Sequence, residues 1–349
     1  MRRRPFFLSA PEDVLALQAE AEGMLDRLLP CSAEKLVLAA DRERHDLALM
    51  LLYRACSRGP NGDFLRQVAD LPAGLTPLGS AVRILIVPGL NFRQHPEMGA
   101  DGRLVNDIAA RLGVKAEIID IDPRGAVSAN AVIISERLSR LSNEPAWLIS
   151  ISKGTADLRA AFGLLGGWPK GVSGWVNLSG VFQGTPIADR ITRAPWCRWL
   201  NRSLLTIGGV YFHNVEEMRT DSPLWRLPVE PPSSERMVHV LGFPPSWSIE
   251  MRLARHYQRL RESFGPNDGV TPLRECFDYP GRIYPVWGAD HFMRIPDVAM
   301  LIYQLLHFIN AVEGRTFSTS VSKPAEVLRV SERALAPANT AIASAASMT

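Results

Sequence analysis

The sequence predicts an α/β fold, a mostly parallel sheet with helices on both faces. Six short runs carry the strand signal: VRILIVPG (82–89), AEIIDID (116–122), PAWLISIS (145–152), VSGWVNLSG (172–180), RMVHVLG (236–242) and RIYPVWG (282–288). They are close to continuously apolar rather than alternating, as strands buried on both faces are. Helical patterns such as LVNDIAARLG (104–113) and NAVIISERLSRL (130–141) lie between most of them. Apolar strands that take turns with helices imply a parallel sheet covered on both sides.

Upstream of the first strand, residues 9–70 read as helices. Ser9 and Glu12 form a capping-box pattern, and Val14, Leu17, Ala21, Met24, Leu25 and Leu28 follow at helical spacing. A second helical stretch follows Ser32 and is expected to end near RGPNGD (58–63), a strong turn signal. LPAGLTPLGS (71–80) then reads as a linker. The expected organisation is a helical N-terminal extension (1–78), an α/β domain (79–314) with a helical insertion at about 184–235, and a tail (315–349). That tail is poor in bulky apolar residues and is expected to be disordered. No internal repeat is visible.

Composition narrows the class. The chain has 349 residues, 46% apolar and 21% charged, the balance of a globular protein with a sizeable core. A net charge of +3 is too weak to argue for a nucleic-acid partner. Cys31, Cys56, Cys197 and Cys276 have no metal-ligand or CxxC spacing, which suits a reducing compartment. The opening MRRRPFFLSAPED has a basic start but an apolar run of about four residues, short of the ~7–15 of a secretory signal. No run approaches the ~20 residues of a membrane span. A soluble, cytoplasmic protein without cofactor or metal is expected.

In a parallel sheet, ligands sit beyond the carboxyl ends of the strands. Ser152 ends the third run, with Ser150 two residues before it and Gly154 two after. Small residues at those places permit a tight strand-to-helix turn that exposes the serine. The helix beginning near Thr155 would aim its N-terminal amides at an anion forming beside Ser152. The first run ends in VPGLN (87–91), a glycine turn whose amides could face the serine. Leu90 N–H and Lys153 N–H are the two donors expected to complete an oxyanion hole. Asp268 lies in FGPNDGVTP (264–272), a turn able to hold a carboxylate rigidly, and His291 in WGADHFMR (287–294) follows the last strand. Taken singly, each of these is also an ordinary turn; together and in this order they point to a nucleophile, an acid and a base.

Residues 82 to about 312 resemble an α/β-hydrolase, most nearly the bacterial esterases and triacylglycerol lipases. VPGLN, SISKG (150–154), LSGVFQGTPIAD (178–189), NDGV (267–270) and GADHF (288–292) carry the resemblance. It implies hydrolysis of an acyl ester through an acyl-serine, with Ser152 as nucleophile, His291 as general base and Asp268 as its support. Two departures stand out: Pro88 replaces the more usual histidine before Gly89, and Ser150 replaces the first elbow glycine. Met293 occupies the place of an aspartate that helps bind calcium in some of these lipases, so no calcium is expected.

The insertion at 184–235 is rich in apolar side chains, including Trp196, Trp199 and Leu200, with arginines interleaved. It reads as a lid over an acyl pocket, as a fixed helical cap, or as a surface that touches a lipid interface. The expected partner is a small acyl ester. Two further readings stay open at this stage: an acyltransferase or thioesterase using the same three residues, and a non-catalytic binding protein of the same fold.

Overall fold

A computed structural model describes residues 14–40, 44–71, 77–78, 82–94, 99–141, 146–193 and 212–314. The expected tail and the residues Trp196, Trp199 and Leu200 lie outside the described residues.

Strands β1 (Arg83–Val87), β2 (Lys115–Ile118), β3 (Ala146–Ile151), β4 (Val172–Leu178), β5 (Met237–Phe243) and β6 (Arg282–Trp287) form one sheet in the order β2-β1-β3-β4-β5-β6. Every pairing is parallel. Because side chains alternate along a strand, each apolar run divides between two cores. Leu85, Val87, Leu148, Trp175 and Leu241 point to one face; Ile84, Ile86, Trp147, Ile149, Val176 and Val240 point to the other. The first core is covered by α6 (Val127–Ser139) and α7 (Lys153–Leu164), the second by α5 (Arg103–Arg111) and α11 (Val298–Glu313). Complete burial of a large apolar side chain contributes about 1.5–3 kcal/mol, so strands and covering helices alike add substantially to the stability.

Four helices precede the sheet: α1 (Val14–Leu28), α2 (Ala33–Ala39), α3 (His45–Ala55) and α4 (Gly59–Ala69). The first three feed the core on the α6/α7 side through Leu25, Leu36 and Leu49, whereas α4 feeds the opposite core through Phe64, Leu65 and Val68. The group therefore straddles the β6 edge of the sheet. Asn61 sits on that edge: its Nδ2 donates to Ile283 O (2.9 Å) and its Oδ1 accepts from Ile283 N (2.8 Å). The amide pairs one residue of an edge strand much as a neighbouring strand would. Asp46 accepts from both the amide and the hydroxyl of Ser246, tying α3 to the loop after β5.

One expectation is corrected. RGPNGD does not end a helix; α3 stops at Ala55 and α4 starts at Gly59, with Pro60 in its first turn. Proline fits there because its missing N–H would have no intrahelical partner in any case. The second strand is also shorter than expected, ending at Ile118, and the following Asp122 opens a turn instead. Among the described residues no helix is long and apolar enough to cross a membrane.

Candidate active site

Strand order reverses between β1 and β3, so the loops that leave their carboxyl ends diverge and open a crevice. Ser152 stands at that point with φ 50° and ψ −120°, a left-handed conformation uncommon for a residue with a side chain. The turn is tight enough to dictate its neighbours. A Cβ on Gly154 would come within 2.6 Å of Val87 O, and one on Gly89 would come within 3.3 Å of the Ser152 Cβ. Ser150 is tolerated because its buried hydroxyl is bonded to Thr155 Oγ1 and Trp175 Nε1, each at 2.7 Å.

The structure brings Ser152, His291 and Asp268 together. Ser152 Oγ lies 2.9 Å from His291 Nε2, and His291 Nδ1 lies 2.8 Å from Asp268 Oδ2. The other Asp268 oxygen accepts from Val270 N (2.8 Å) and Thr271 N (2.6 Å), which ties the carboxylate to its own turn. Asn267, fully buried, braces this turn: its side chain accepts from Gly269 N and donates to Gly265 O and to Tyr257 O on α10 (Ala254–Phe264). His291 N donates to Asp268 O, so backbone as well as side chain joins the two loops. Asp290 faces elsewhere, its carboxylate accepting from Glu250 N and Phe292 N, and burial pushes its carboxyl up from the ordinary range.

Both residues expected to supply oxyanion donors border the same cavity as Ser152. The loop that carries Leu90 is held from both sides, by Gly89 N to Ala100 O and by Asn91 N to Pro123 O, each 2.8 Å. Lys153 opens α7, and its side chain turns inward rather than into water. Its Nζ meets Asp157 Oδ1 at 2.5 Å, and Asp157 Oδ2 accepts from Asn130 Nδ2 at 2.8 Å. Burial pushes the Asp157 carboxyl up to about 6, against the pull of Lys153 and Asn130. Asn130 also bonds both the N–H and the carbonyl of Asp122, in the turn that includes Pro123. An unbroken set of bonds thus links the residue after the serine to the loop across the crevice.

The cavity has a volume of about 580 Å³. Among the described residues its floor is Ser152, Lys153 and His291, and its walls are mostly apolar. Helix α8 (Pro186–Arg193) and the short α9 (Phe212–Glu216) contribute Ile187, Ile191 and Val215 from the insertion. On the other side α5 and α11 contribute Leu104, Val105, Val298, Leu301 and Ile302. Sequence reasoning named none of these wall residues; they are apolar helix positions with no local signal that separates them from ordinary core. Met293 also lines the cavity. Among the described residues no cluster of His, Cys, Asp or Glu could hold a metal ion.

No protein-family model matches the chain, and no curated protein matches it. Solved structures do. A metagenomic carboxyl esterase is similar at 18% identity, over 70% of this chain and 80% of that one, with a TM-score of 0.50. The mature lipase BlEst2 of Bacillus licheniformis is similar at 20% identity, over 70% of this chain and 94% of that one, with a TM-score of 0.45. At such identities likeness bears on the fold alone, and the parallel sheet order, with a serine on a sharp turn at its switch point, agrees with it. The chain has the α/β-hydrolase fold.

Proposed function

We propose that the protein is a serine hydrolase that cleaves a carboxylic ester with an apolar acyl group through an acyl-serine intermediate. The observation that carries this reading is the hydrogen-bonded line Ser152, His291, Asp268, whose first two members line a largely apolar cavity. His291 Nε2 accepts the Ser152 proton as Oγ attacks the acyl carbon. Asp268, its second oxygen held by two amides, keeps the imidazole oriented and stabilises the imidazolium. Leu90 N–H and Lys153 N–H receive the tetrahedral oxyanion, a contribution of about 3–4 kcal/mol per donor in comparable sites. The imidazolium then gives its proton to the leaving alcohol. Water attacks the acyl carbon with His291 again as base, and Ser152 is regenerated.

A fluorophosphonate ester tests the reading directly. The wild-type protein should be labelled at one serine and should turn over p-nitrophenyl esters. Ser152→Ala should lose labelling and lower kcat by several orders of magnitude. Equal labelling of that variant, or none in the wild type, would overturn the assignment.

A further inference from the structure

We propose that Leu301 is the end wall that sets acyl-chain length, and that a second cavity behind it, walled by the N-terminal helices, is where a longer chain would extend. The proposal rests on the ester-hydrolase reading above. Helix α11 presents two cavity-lining faces near its start. Val298 and Ile302 border the cavity at Ser152, while Asp297 and Gln304 border a separate cavity of about 80 Å³. Leu301 lies on the seam and is the one described residue that lines both. That is the geometry helical spacing demands, since residues three and four apart share a face and position 301 belongs to both sets.

The far walls of the second cavity come from Tyr53 on α3, from Leu65 and Ala69 on α4, and from Val286 and Trp287 at the end of β6. The N-terminal helices therefore line a cavity that has Leu301 in common with the main one. The hydrocarbon is assigned to this direction because α5 and α11 pack together on one face of the sheet, and the residues with which they line the main cavity are all apolar. Arg124 and Asn214 border the main cavity from the turn after β2 and from α9, where a more polar leaving group fits.

Leu301 is the shared boundary: it is 5% exposed overall and borders both spaces. A dry cavity of about 150 Å³ accommodates benzene, or ~25 Å³ per carbon. The second cavity of about 80 Å³ then holds about three carbons, and truncation of Leu301 to alanine clears room for about three more. The acyl optimum should lengthen by about four to six carbons when the wall is removed. Each methylene newly buried is worth about fourfold in kcat/KM.

The test is kcat/KM for p-nitrophenyl esters of four to sixteen acyl carbons, normalised to active sites titrated with a fluorophosphonate. Leu301→Ala should move the optimum to longer chains and raise the ratio of long-chain to wild-type-optimum ester at least tenfold. Leu301→Val, a smaller truncation, should give a smaller shift of the same sign and guards against loss of folding in the first variant. Ala69→Phe fills the second cavity from its remote wall. It should leave the wild-type profile unchanged and return the Leu301→Ala profile toward it. Titrated variants with an unshifted profile, or a shift that Ala69→Phe does not reverse, overturn the proposal alone. A wild-type protein that takes no label overturns the ester-hydrolase reading and the proposal with it.

Discussion

Replacing Asp157 with asparagine should destabilise the protein by about 3–5 kcal/mol, and replacing Lys153 as well should restore much of that loss. The Lys153 and Asp157 side chains are 6% and 1% exposed and meet at 2.5 Å, so neither charge has water to fall back on. Removal of one member of a buried pair leaves the other uncompensated, which typically costs about 3–5 kcal/mol. The intact pair is not itself a strong stabiliser. Burial raises the Asp157 carboxyl from 3.8 to about 6, so ionisation at pH 8 is disfavoured by about 3 kcal/mol relative to the unfolded chain. Lys153→Met in the Asp157→Asn background removes the stranded ammonium and should recover at least about 2 kcal/mol. Urea denaturation at pH 8 of the wild type, the two single variants and the double variant measures this coupling. The same four proteins report on activity. Asp157 holds Asn130, Asn130 holds the Asp122 turn, and Pro123 O holds Asn91, so the loss should lower kcat more than it raises KM. An Asp157→Asn variant within about 1 kcal/mol of wild type, or a double variant worse than both singles, would refute the reasoning.

Gly154→Ala should lower kcat/KM about a hundredfold, since its Cβ, otherwise 2.6 Å from Val87 O, must push α7 away from β1, and a displacement of ~1 Å at reacting atoms has that effect. Turnover and labelling rate should fall together, and an unaffected rate would show that the elbow has slack. His239 is held neutral at a folded pKa of about 4 by burial, with Nδ1 accepting from Asn177 and Nε2 donating to Pro280 O. Between pH 6.5 and 4 the unfolded chain takes up a proton that the folded one refuses, so stability falls with pH by about 3 kcal/mol from this group. His45, lowered to about 3, acts in the same sense and Asp157 in the opposite one. The check is therefore the pH dependence of unfolding in His239→Asn against wild type; identical slopes would exclude the assignment.

The strands were legible because burial on both faces removes alternation and leaves the plain apolar runs that became β1 to β6. Ser152, Asp268 and His291 were legible for a different reason: each has a glycine within three residues, in Gly154, Gly269 and Gly288, and their chain order limits the ways they can meet. The walls of the cavity were not. Leu104, Val105, Leu301 and Ile302 occupy apolar helix positions that sequence cannot tell from ordinary core positions. Lys153 and Asp157, four apart on a helix, read locally as a solvent-exposed pair, and only the tertiary packing of α6 over α7 buries them. Asn61 was hidden in a turn signal, because nothing local reveals that its amide faces the edge of a sheet more than two hundred residues away.

Ser150 shows how a departure from the usual elbow pattern is absorbed. Glycine at that place would leave Trp175 Nε1, fully buried, without this acceptor, and Thr155 Oγ1 without this donor. With serine present, one direction of donation satisfies every group. His239 Nε2 must donate to Pro280 O, since a carbonyl only accepts, and so Nδ1 must accept from Asn177 Nδ2. That orients the Asn177 amide and leaves its Oδ1 to accept from Thr155 Oγ1 at 2.9 Å. The Thr155 hydroxyl, its proton committed, accepts from Ser150, and Ser150 accepts in turn from Trp175. The line crosses β3, β4 and β5 beneath the turn at Ser152. A buried polar line with a single consistent direction resists alternative side-chain arrangements, because reversing any one member strands a donor against a donor. The serine that departs from the elbow pattern is therefore part of what holds Ser152 at its strained angle, two residues away in the chain.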